Sequence, residues 1–156
     1  MRLVSIFLAF LLLAACARQD HQRIGELEVS MTWSRETPPT ATVAAGYATI
    51  RNTGSADDRL VSVESPGAAR VEIHHVDMAD GIMRMRKAID GLSVPAGQTV
   101  VLAPGRSHLM FIDPVRQAVA GDELQATLVF ERAGRLPVSF EVRSLSAQGV
   151  GTPPHH

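Results

Sequence analysis

The feature that most constrains the fold is a two-residue alternation of apolar and polar side chains from residue 25 onward. This period places successive side chains on opposite faces of a β-strand, and no long segment carries a helical stripe instead. Turn signals rich in Gly, Pro, Asn and Asp separate the segments. The pattern predicts an all-β fold, an antiparallel Greek-key β-sandwich forming a single domain. The residues predicted to face the core in the two clearest segments are Leu124, Ala126, Leu128, Phe130, Leu136, Val138, Phe140 and Val142.

The N-terminal segment MRLVSIFLAFLLLAAC has the pattern of a signal peptide. Arg2 precedes a run over residues 3–13 that is apolar except for Ser5 and is short for a transmembrane helix, and two alanines then lead to Cys16. The sequence Leu-Ala-Ala-Cys resembles the lipobox of bacterial lipoproteins. We therefore predict a lipoprotein signal peptide over residues 1–15 and acylation of Cys16, which has no second cysteine to pair with. The alternative is an ordinary signal peptide with an incidental cysteine.

The residue after Cys16 is Ala17 rather than an acidic residue. By resemblance to lipoprotein sorting in double-membrane bacteria, this favours a periplasmic protein attached to the outer membrane through its lipid. Residues 16–24 are predicted to be the acylated cysteine and a polar tether, and residues 25–145 the folded domain. The Gly- and Pro-rich residues 146–156 are predicted to be a disordered tail.

Charge and composition argue against several classes of function. Lys and Arg number 15 and Asp and Glu number 16, and aromatic residues make up only 4% of the chain. Neither a basic surface nor base-stacking platforms are therefore expected, and nucleic acid is not a predicted partner. No nucleophile-and-base arrangement, phosphate loop or carboxylate pair stands out, so we do not predict an enzyme.

The segment HHVDMADGIMRMR gathers histidine and methionine around a predicted turn at residues 79–81. His74 lies on the strand that enters this turn. Met83 and Met85 are two residues apart on the strand that leaves it, so their side chains share a face. The segment is thus predicted to be a hairpin that presents imidazole and thioether groups.

A second fragment, SHLMFID, carries His108 and Met110, also two residues apart. The same alternation that would bury Leu109 and Phe111 would present His108 and Met110 on the opposite face. If the hairpin lies beside this strand, one surface holds two imidazoles and two thioethers. The set selects Cu(I), because soft thioether ligands favour that ion, whereas zinc sites use Cys, His or carboxylate and a blue-copper centre needs a Cys thiolate.

Methionine also fills gaps in protein cores, so each methionine has a second interpretation. Met31 alternates with Val29 and Trp33 and is assigned to core packing. Met83, Met78 and His75 are candidate accessory metal ligands. The alternatives are packing for Met83, simple exposure for Met78, and a buried or edge histidine for His75.

The sequence resembles the PCu(A)C family of periplasmic copper chaperones over most of residues 27–143. The family pattern is a His, a Met about eleven positions on, and a His-x-Met some two dozen positions later. Here those positions are His74, Met85, His108 and Met110. The segments DGIMRMR, VPAGQTVVLAPG, HLMFID and WSRETPPTATVAAGYATIRNTG also resemble the family.

The resemblance implies a cupredoxin-like β-sandwich that holds one Cu(I) at its surface through these four ligands. It also implies delivery of copper towards the copper-A centre of cytochrome c oxidase, directly or through a thiol-bearing assembly protein. Some family members carry metal-binding C-terminal extensions, so His155 and His156 are candidates for binding Cu(II), although two terminal histidines can also be incidental. Two other functions stay open, an envelope copper buffer for copper tolerance and a structural β-sandwich lipoprotein that binds no metal.

Overall fold

The computed structural model describes residues 21–144, and this part of the chain contains strands and turns but no helix. None of its residues therefore lies in a helix long and apolar enough to cross a membrane. The predicted all-β fold is confirmed. The strands are β1 (His21–Ile24), β2 (Leu27–Arg35), β3 (Val43–Asn52), β4 (Asp58–Glu64), β5 (Ala68–Ala79), β6 (Ile82–Lys87), β7 (Leu92–Val94), β8 (Thr99–Leu102), β9 (His108–Pro114), β10 (Glu123–Phe130) and β11 (Gly134–Arg143).

The strands form one hydrogen-bonded path in the order β6-β5-β9-β3-β2-β11-β10-β4-β7, with β1 added to β2 and β8 added to β3. Many neighbours in this order are distant in sequence, as Greek-key connections require. Within the described residues every pairing is antiparallel except that of β11 with β2, which is parallel. The sandwich is thus not purely antiparallel, because its first and last long strands run side by side in the same direction.

The path folds over on itself to enclose one core. Phe111 on β9 and Phe140 on β11 are three strands apart in hydrogen-bonded order, which in a flat sheet would separate them by about 14 Å. Their ring centroids are instead 5.7 Å apart, and the rings meet edge to face. The Phe111 ring packs so closely against Gly46 that no side chain fits at that position, since a Cβ there would lie 2.7 Å from the ring. The two halves of the path therefore face each other as a sandwich.

The apolar residues that the alternation assigned to the core are buried. All eight predicted inward positions of β10 and β11 belong to the core cluster, as do Leu109 and Phe111 on β9. Ile73 on β5 is buried as well, and Val71 packs against the same cluster. The opposite faces of β5 and β9 are thereby left to carry the polar and sulfur-bearing side chains.

The strand β1 corrects the predicted start of the folded domain. Its four residues were assigned to the tether, but they pair with β2 in the register His21↔Ser30 to Ile24↔Leu27. Gly25 makes the tight connection, with a φ of 56° that few other residues adopt. β1 is only two residues from β2, so the two strands form a hairpin in which β2 provides hydrogen-bond partners for the polar backbone of β1. The side chains of β1 themselves are exposed or only half-buried. The folded part of the chain therefore includes His21 rather than starting at residue 25.

The assignment of Met31 to the core is wrong. The register of β2 against β3 shifts between Ser30 and Trp33, and Met31 has a φ of 52° and is 62% exposed. This β-bulge moves every later side chain of β2 to the other face, because strand side chains alternate. Ser34 consequently points into the core, where its hydroxyl donates a hydrogen bond to the Ala45 carbonyl oxygen at 2.8 Å. Trp33 is sent to the outward face, towards the candidate site.

Candidate metal centre

The predicted hairpin is formed by β5 and β6. They pair from His74↔Lys87 to Ala79↔Ile82 around a two-residue turn at Asp80 and Gly81. Both turn residues have positive φ, 54° and 75°, as a type I′ turn requires, and Asp-Gly is a favoured sequence for it. The turn fixes the register between the two strands. It therefore fixes which side chains of β6 stand beside His74.

The hairpin lies beside β9, as the site prediction requires. The β5–β9 pairing places His74 directly opposite His108 and Glu72 opposite Met110. On the other side of β5, Met85 pairs with Val76, which shares the face of His74. The outward face of β6-β5-β9 thus brings one thioether and one imidazole from the hairpin to one imidazole and one thioether from β9.

The closest contact in this group joins His74 to Met85. The Nδ1 atom of His74 lies 3.3 Å from the sulfur of Met85, and the centroids of the His74 and His108 rings are 5.6 Å apart. With the bond lengths that are typical of zinc sites, about 2.0 Å to nitrogen and about 2.3 Å to thiolate sulfur, an ion bonded to both atoms would have an N–metal–S angle of about 100°. This separation therefore suits a metal in near-tetrahedral coordination.

His108 forms the enclosed side of the group. It is only 8% exposed, and its Nδ1 lies 2.8 Å from the backbone oxygen of Arg106. A carbonyl oxygen can only accept, so in the neutral ring Nδ1 carries the hydrogen and Nε2 keeps its lone pair. Met85, by contrast, is 59% exposed. The arrangement has one nearly buried imidazole and one thioether open to solvent.

Met110 shares the outward face of β9 with His108 and is half-buried. In register it lies between Glu72 on β5 and Ala45 on β3. All four predicted ligands are therefore on one face of three adjacent strands, and the short contact involves His74 and Met85.

The three candidate accessory ligands are placed differently. Met78 and Met83 are directly paired across the hairpin, both are exposed, and they share the face of His74 and Met85. His75 is on the opposite face, where its Nδ1 lies 3.0 Å from the hydroxyl oxygen of Ser107. The structure thus brings the two methionines to the side of the site that faces the hairpin tip, and it does not bring His75 there.

Glu72 was not identified as a site residue from the sequence. One of its carboxylate oxygens, Oε2, lies 3.0 Å from Nε2 of His74, and the other, Oε1, contacts Arg70 Nε at 3.0 Å and Lys87 Nζ at 3.2 Å. The hydrogen bond with His74, followed by those from Arg70 and Lys87, lowers the pKa of Glu72 to about 2. The carboxylate is therefore ionised at neutral pH, and the signal that could have found it was its shared strand parity with His74.

Two aromatic residues extend the outward face beyond His108. Trp33, redirected by the β-bulge, contacts Tyr47 with ring centroids 4.4 Å apart and ring planes tilted by 39°, and the Tyr47 centroid is 6.4 Å from that of His108. Arg143 lies over the Trp33 ring at 5.5 Å. Burial raises the pKa of Tyr47, so it stays a neutral phenol. The Tyr47 ring therefore borders His108 on the β3 side, opposite the side of β5 and β6 that carries His74 and Met85.

The remaining predicted site residues, Cys16, His155 and His156, lie outside the described residues. Within residues 21–144 no group of three or more His, Cys, Asp or Glu side chains is placed to hold a metal. The candidate centre is instead a mixed set, in which imidazole nitrogen and thioether sulfur are the donors.

The fold and this mixed site define a class of protein, a small β-sandwich that presents imidazole and thioether groups on one outer face. Two solved structures are similar to the chain. The copper-bound PCuAC domain from PmoF2 is 26% identical with a TM-score of 0.69, and the similarity covers 80% of this chain and 97% of that domain. The solution structure of CuI-DR1885 from Deinococcus radiodurans, 22% identical with a TM-score of 0.59 over 83% of this chain and 85% of that one, shares the fold. The predicted PCu(A)C resemblance and cupredoxin-like sandwich are confirmed.

The chain belongs to the LpqE-like family, whose model, described as "Putative lipoprotein LpqE-like", matches residues 27–142. One relative is the "Putative lipoprotein Lxx21020" of Leifsonia xyli subsp. xyli, which is 31% identical over 134 residues. That match covers 86% of this chain and 80% of the relative. The family match spans β2 to β11 and so includes every strand that carries the candidate centre.

Proposed function

We propose that this protein is a periplasmic copper chaperone that binds one Cu(I) through His74, Met85, His108 and Met110. The observation that carries the proposal is the 3.3 Å approach of His74 Nδ1 to the Met85 sulfur, with the His108 ring beside them. Similarity to the copper-bound PCuAC domain from PmoF2 supports copper as the ion. Thioether sulfur is a soft ligand, which favours Cu(I) over Cu(II) and over hard cations.

The exposure of the ligands supports transfer rather than permanent storage. Met85 is open to solvent whereas His108 is almost buried. A ligand from a partner can therefore reach the ion from the Met85 side while His108 still holds it. Thioethers and neutral imidazoles carry no charge, so anionic thiolates of a recipient bind the cation more strongly and draw it away. Copper is the cargo in this scheme, and no covalent bond of a substrate changes.

The exposed pair Met78 and Met83 is assigned an accessory role. Both thioethers stand on the same face as Met85, towards the hairpin tip. They offer weak Cu(I) ligands along the route by which the ion reaches or leaves the main site. His75, which contacts Ser107 on the opposite face, has no such role in this arrangement. Cu(II) binding by His155 and His156 stays a prediction from the sequence.

The proposed destination is the copper-A centre of cytochrome c oxidase, reached directly or through a thiol-bearing assembly protein. Deleting the protein is expected to lower the copper content and activity of the oxidase when copper is limiting, and added copper should restore both. The measurement is metal analysis of the purified oxidase from the two strains. Oxidase copper that is unchanged in the deletion strain, together with greater sensitivity to excess copper, would instead identify an envelope copper buffer.

Attachment through acylated Cys16 is proposed for the location, in the outer membrane and facing the periplasm. The lipobox-like sequence and the relative named as a lipoprotein support it. Several acyl chains give stable anchoring where a single chain gives marginal binding. Cys16→Ser is expected to abolish labelling by a fatty-acid analogue and move the protein from the outer-membrane fraction to the soluble or unprocessed pool. Unchanged membrane attachment of this variant would rule out the anchor without affecting the copper site.

A further inference from the structure

The carboxylate of Glu72 is held between two different sets of partners. Oε1 contacts the side chains of Arg70 and Lys87, at 3.0 Å and 3.2 Å, and Oε2 lies 3.0 Å from Nε2 of His74. The strand geometry creates this arrangement, because Arg70, Glu72 and His74 alternate along one face of β5 and Lys87 is paired with His74 across the hairpin. The two cations fix the position and the negative charge of the carboxylate.

The Glu72 contact determines which nitrogen of His74 is free. An ionised carboxylate can only accept, so Nε2 carries the hydrogen when the ring is neutral, and Nδ1 keeps its lone pair. Nδ1 is the atom that lies 3.3 Å from the sulfur of Met85. Two acceptors then face each other with no hydrogen between them, which is the arrangement that a bound cation would stabilise.

We infer that Glu72 is a positioning residue for copper: it fixes His74 in the tautomer whose Nδ1 faces Met85, and it supplies the negative charge that the neutral ligands lack. The inference rests on the proposed function for its copper step. Metal-bound histidines generally donate their second ring N–H to a carboxylate or carbonyl, which orients the ring and raises its basicity. His108 has the carbonyl of Arg106 for this purpose, and His74 has Glu72. The two histidines accordingly offer different atoms, Nδ1 of His74 and Nε2 of His108.

The test compares Glu72→Gln and Glu72→Ala with the parent protein. Glu64→Gln is the matched control, since Glu64 also pairs with an arginine, Arg135, but lies on β4 away from the centre. Cu(I) affinity is measured anaerobically by competition with a chromophoric chelator. Both Glu72 variants are expected to bind Cu(I) about 10–100-fold more weakly, and Glu64→Gln is expected to bind like the parent.

A measurement on the copper-free protein distinguishes a role of Glu72 in orienting His74 from a general disturbance of the fold by the substitution. Long-range proton–nitrogen NMR spectra, recorded where the imidazoles are neutral, report which nitrogen of His74 carries the hydrogen. We expect a single Nε2–H tautomer in the parent and in Glu64→Gln, and a mixture of tautomers in Glu72→Ala. His108, held by a backbone carbonyl, should keep its tautomer in every variant.

Parent-like copper affinity in Glu72→Ala would overturn the inference, as would a His74 tautomer that is the same with and without Glu72. Because the NMR readout needs no copper, it also distinguishes the two proposals. If the parent protein binds no Cu(I), the proposed function fails. The tautomer comparison then still decides whether Glu72 orients His74.

Discussion

Met85→Ala is expected to weaken Cu(I) binding by the domain by about 100-fold or more. The substitution removes the sulfur that lies 3.3 Å from His74 Nδ1 and leaves the other three ligands in place. Loss of a residue that only hydrogen-bonds to a metal ligand typically lowers metal affinity by about 10–100-fold, so loss of a ligand itself should lower it by at least the upper end of that range. His74→Ala is expected to weaken binding at least as strongly, since it removes the nitrogen of the same contact.

The control for this prediction is Met31→Ala. Met31 and Met85 are almost equally exposed, at 62% and 59%, but Met31 is at the bulge of β2, two strands away from β9. Met85→Ala and Met31→Ala should both have a free energy of unfolding close to that of the parent, because substitutions at exposed positions usually change stability by less than about 0.5 kcal/mol. Anaerobic competition titrations of the parent, Met85→Ala, His74→Ala and Met31→Ala provide the comparison. Parent-like affinity in Met85→Ala and His74→Ala would remove these residues from the site, and a matching loss in Met31→Ala would point to a nonspecific effect.

The core was predictable from the sequence because the period of two is unambiguous where one face is buried. Every inward position predicted for β10 and β11 is buried, as are Leu109 and Phe111. The same rule failed at Met31, since a bulge inserts a residue and reverses the alternation from that point on. Nothing in the local residue pattern of β2 marks the bulge. Its signal is the positive φ of Met31, which is visible only in the structure.

The sequence predicted where most strands lie better than it predicted which strands pair with each other. The parallel pairing of β2 with β11 joins segments more than a hundred residues apart, and no local pattern specifies it. The pairing of β1 with β2 was missed for a different reason. The side chains of β1 are polar or only half-buried, so the strand is held by the backbone hydrogen bonds of the hairpin and has no hydrophobic face that the sequence could reveal.

The sequence predicted which strand faces carry the candidate ligands, but it did not predict which ring nitrogen of each histidine is the donor atom. Strand parity predicted that Met83 and Met85 share one face of the hairpin and that His108 and Met110 share one face of their strand. The pairings of β6, β5 and β9 join these faces and His74 into a single surface. The donor atoms depend on which hydrogen bonds the second ring nitrogens make. Those partners, Glu72 and the Arg106 carbonyl, follow from register and loop geometry.

Phe111→Ala is expected to have the largest effect on stability. The ring is 1% exposed and meets Phe140 edge to face across the sandwich, so truncation leaves a cavity where the two halves of the sheet join. Replacing a buried Phe by Ala typically costs about 3–5 kcal/mol, out of a total free energy of unfolding of about 5–15 kcal/mol for a domain of this kind. Denaturant titration of the copper-free domain measures the loss as a lower midpoint at an unchanged slope.

The same substitution links the core to the metal centre, because Phe111 lies on β9 immediately after Met110. Val61→Ala serves as the control, since Val61 is an apolar strand residue that is 40% exposed on β4, and its loss should cost far less. If Cu(I) binds only the folded state, it should raise the denaturation midpoint of Phe111→Ala, by about 2.7 kcal/mol of stability at a free concentration 100 times the dissociation constant. A loss below about 1 kcal/mol would mean that the two halves of the sandwich do not depend on this ring. If copper raises the midpoint of the parent but not that of Phe111→Ala, β9 no longer presents His108 and Met110 once the buried Phe111 ring is removed.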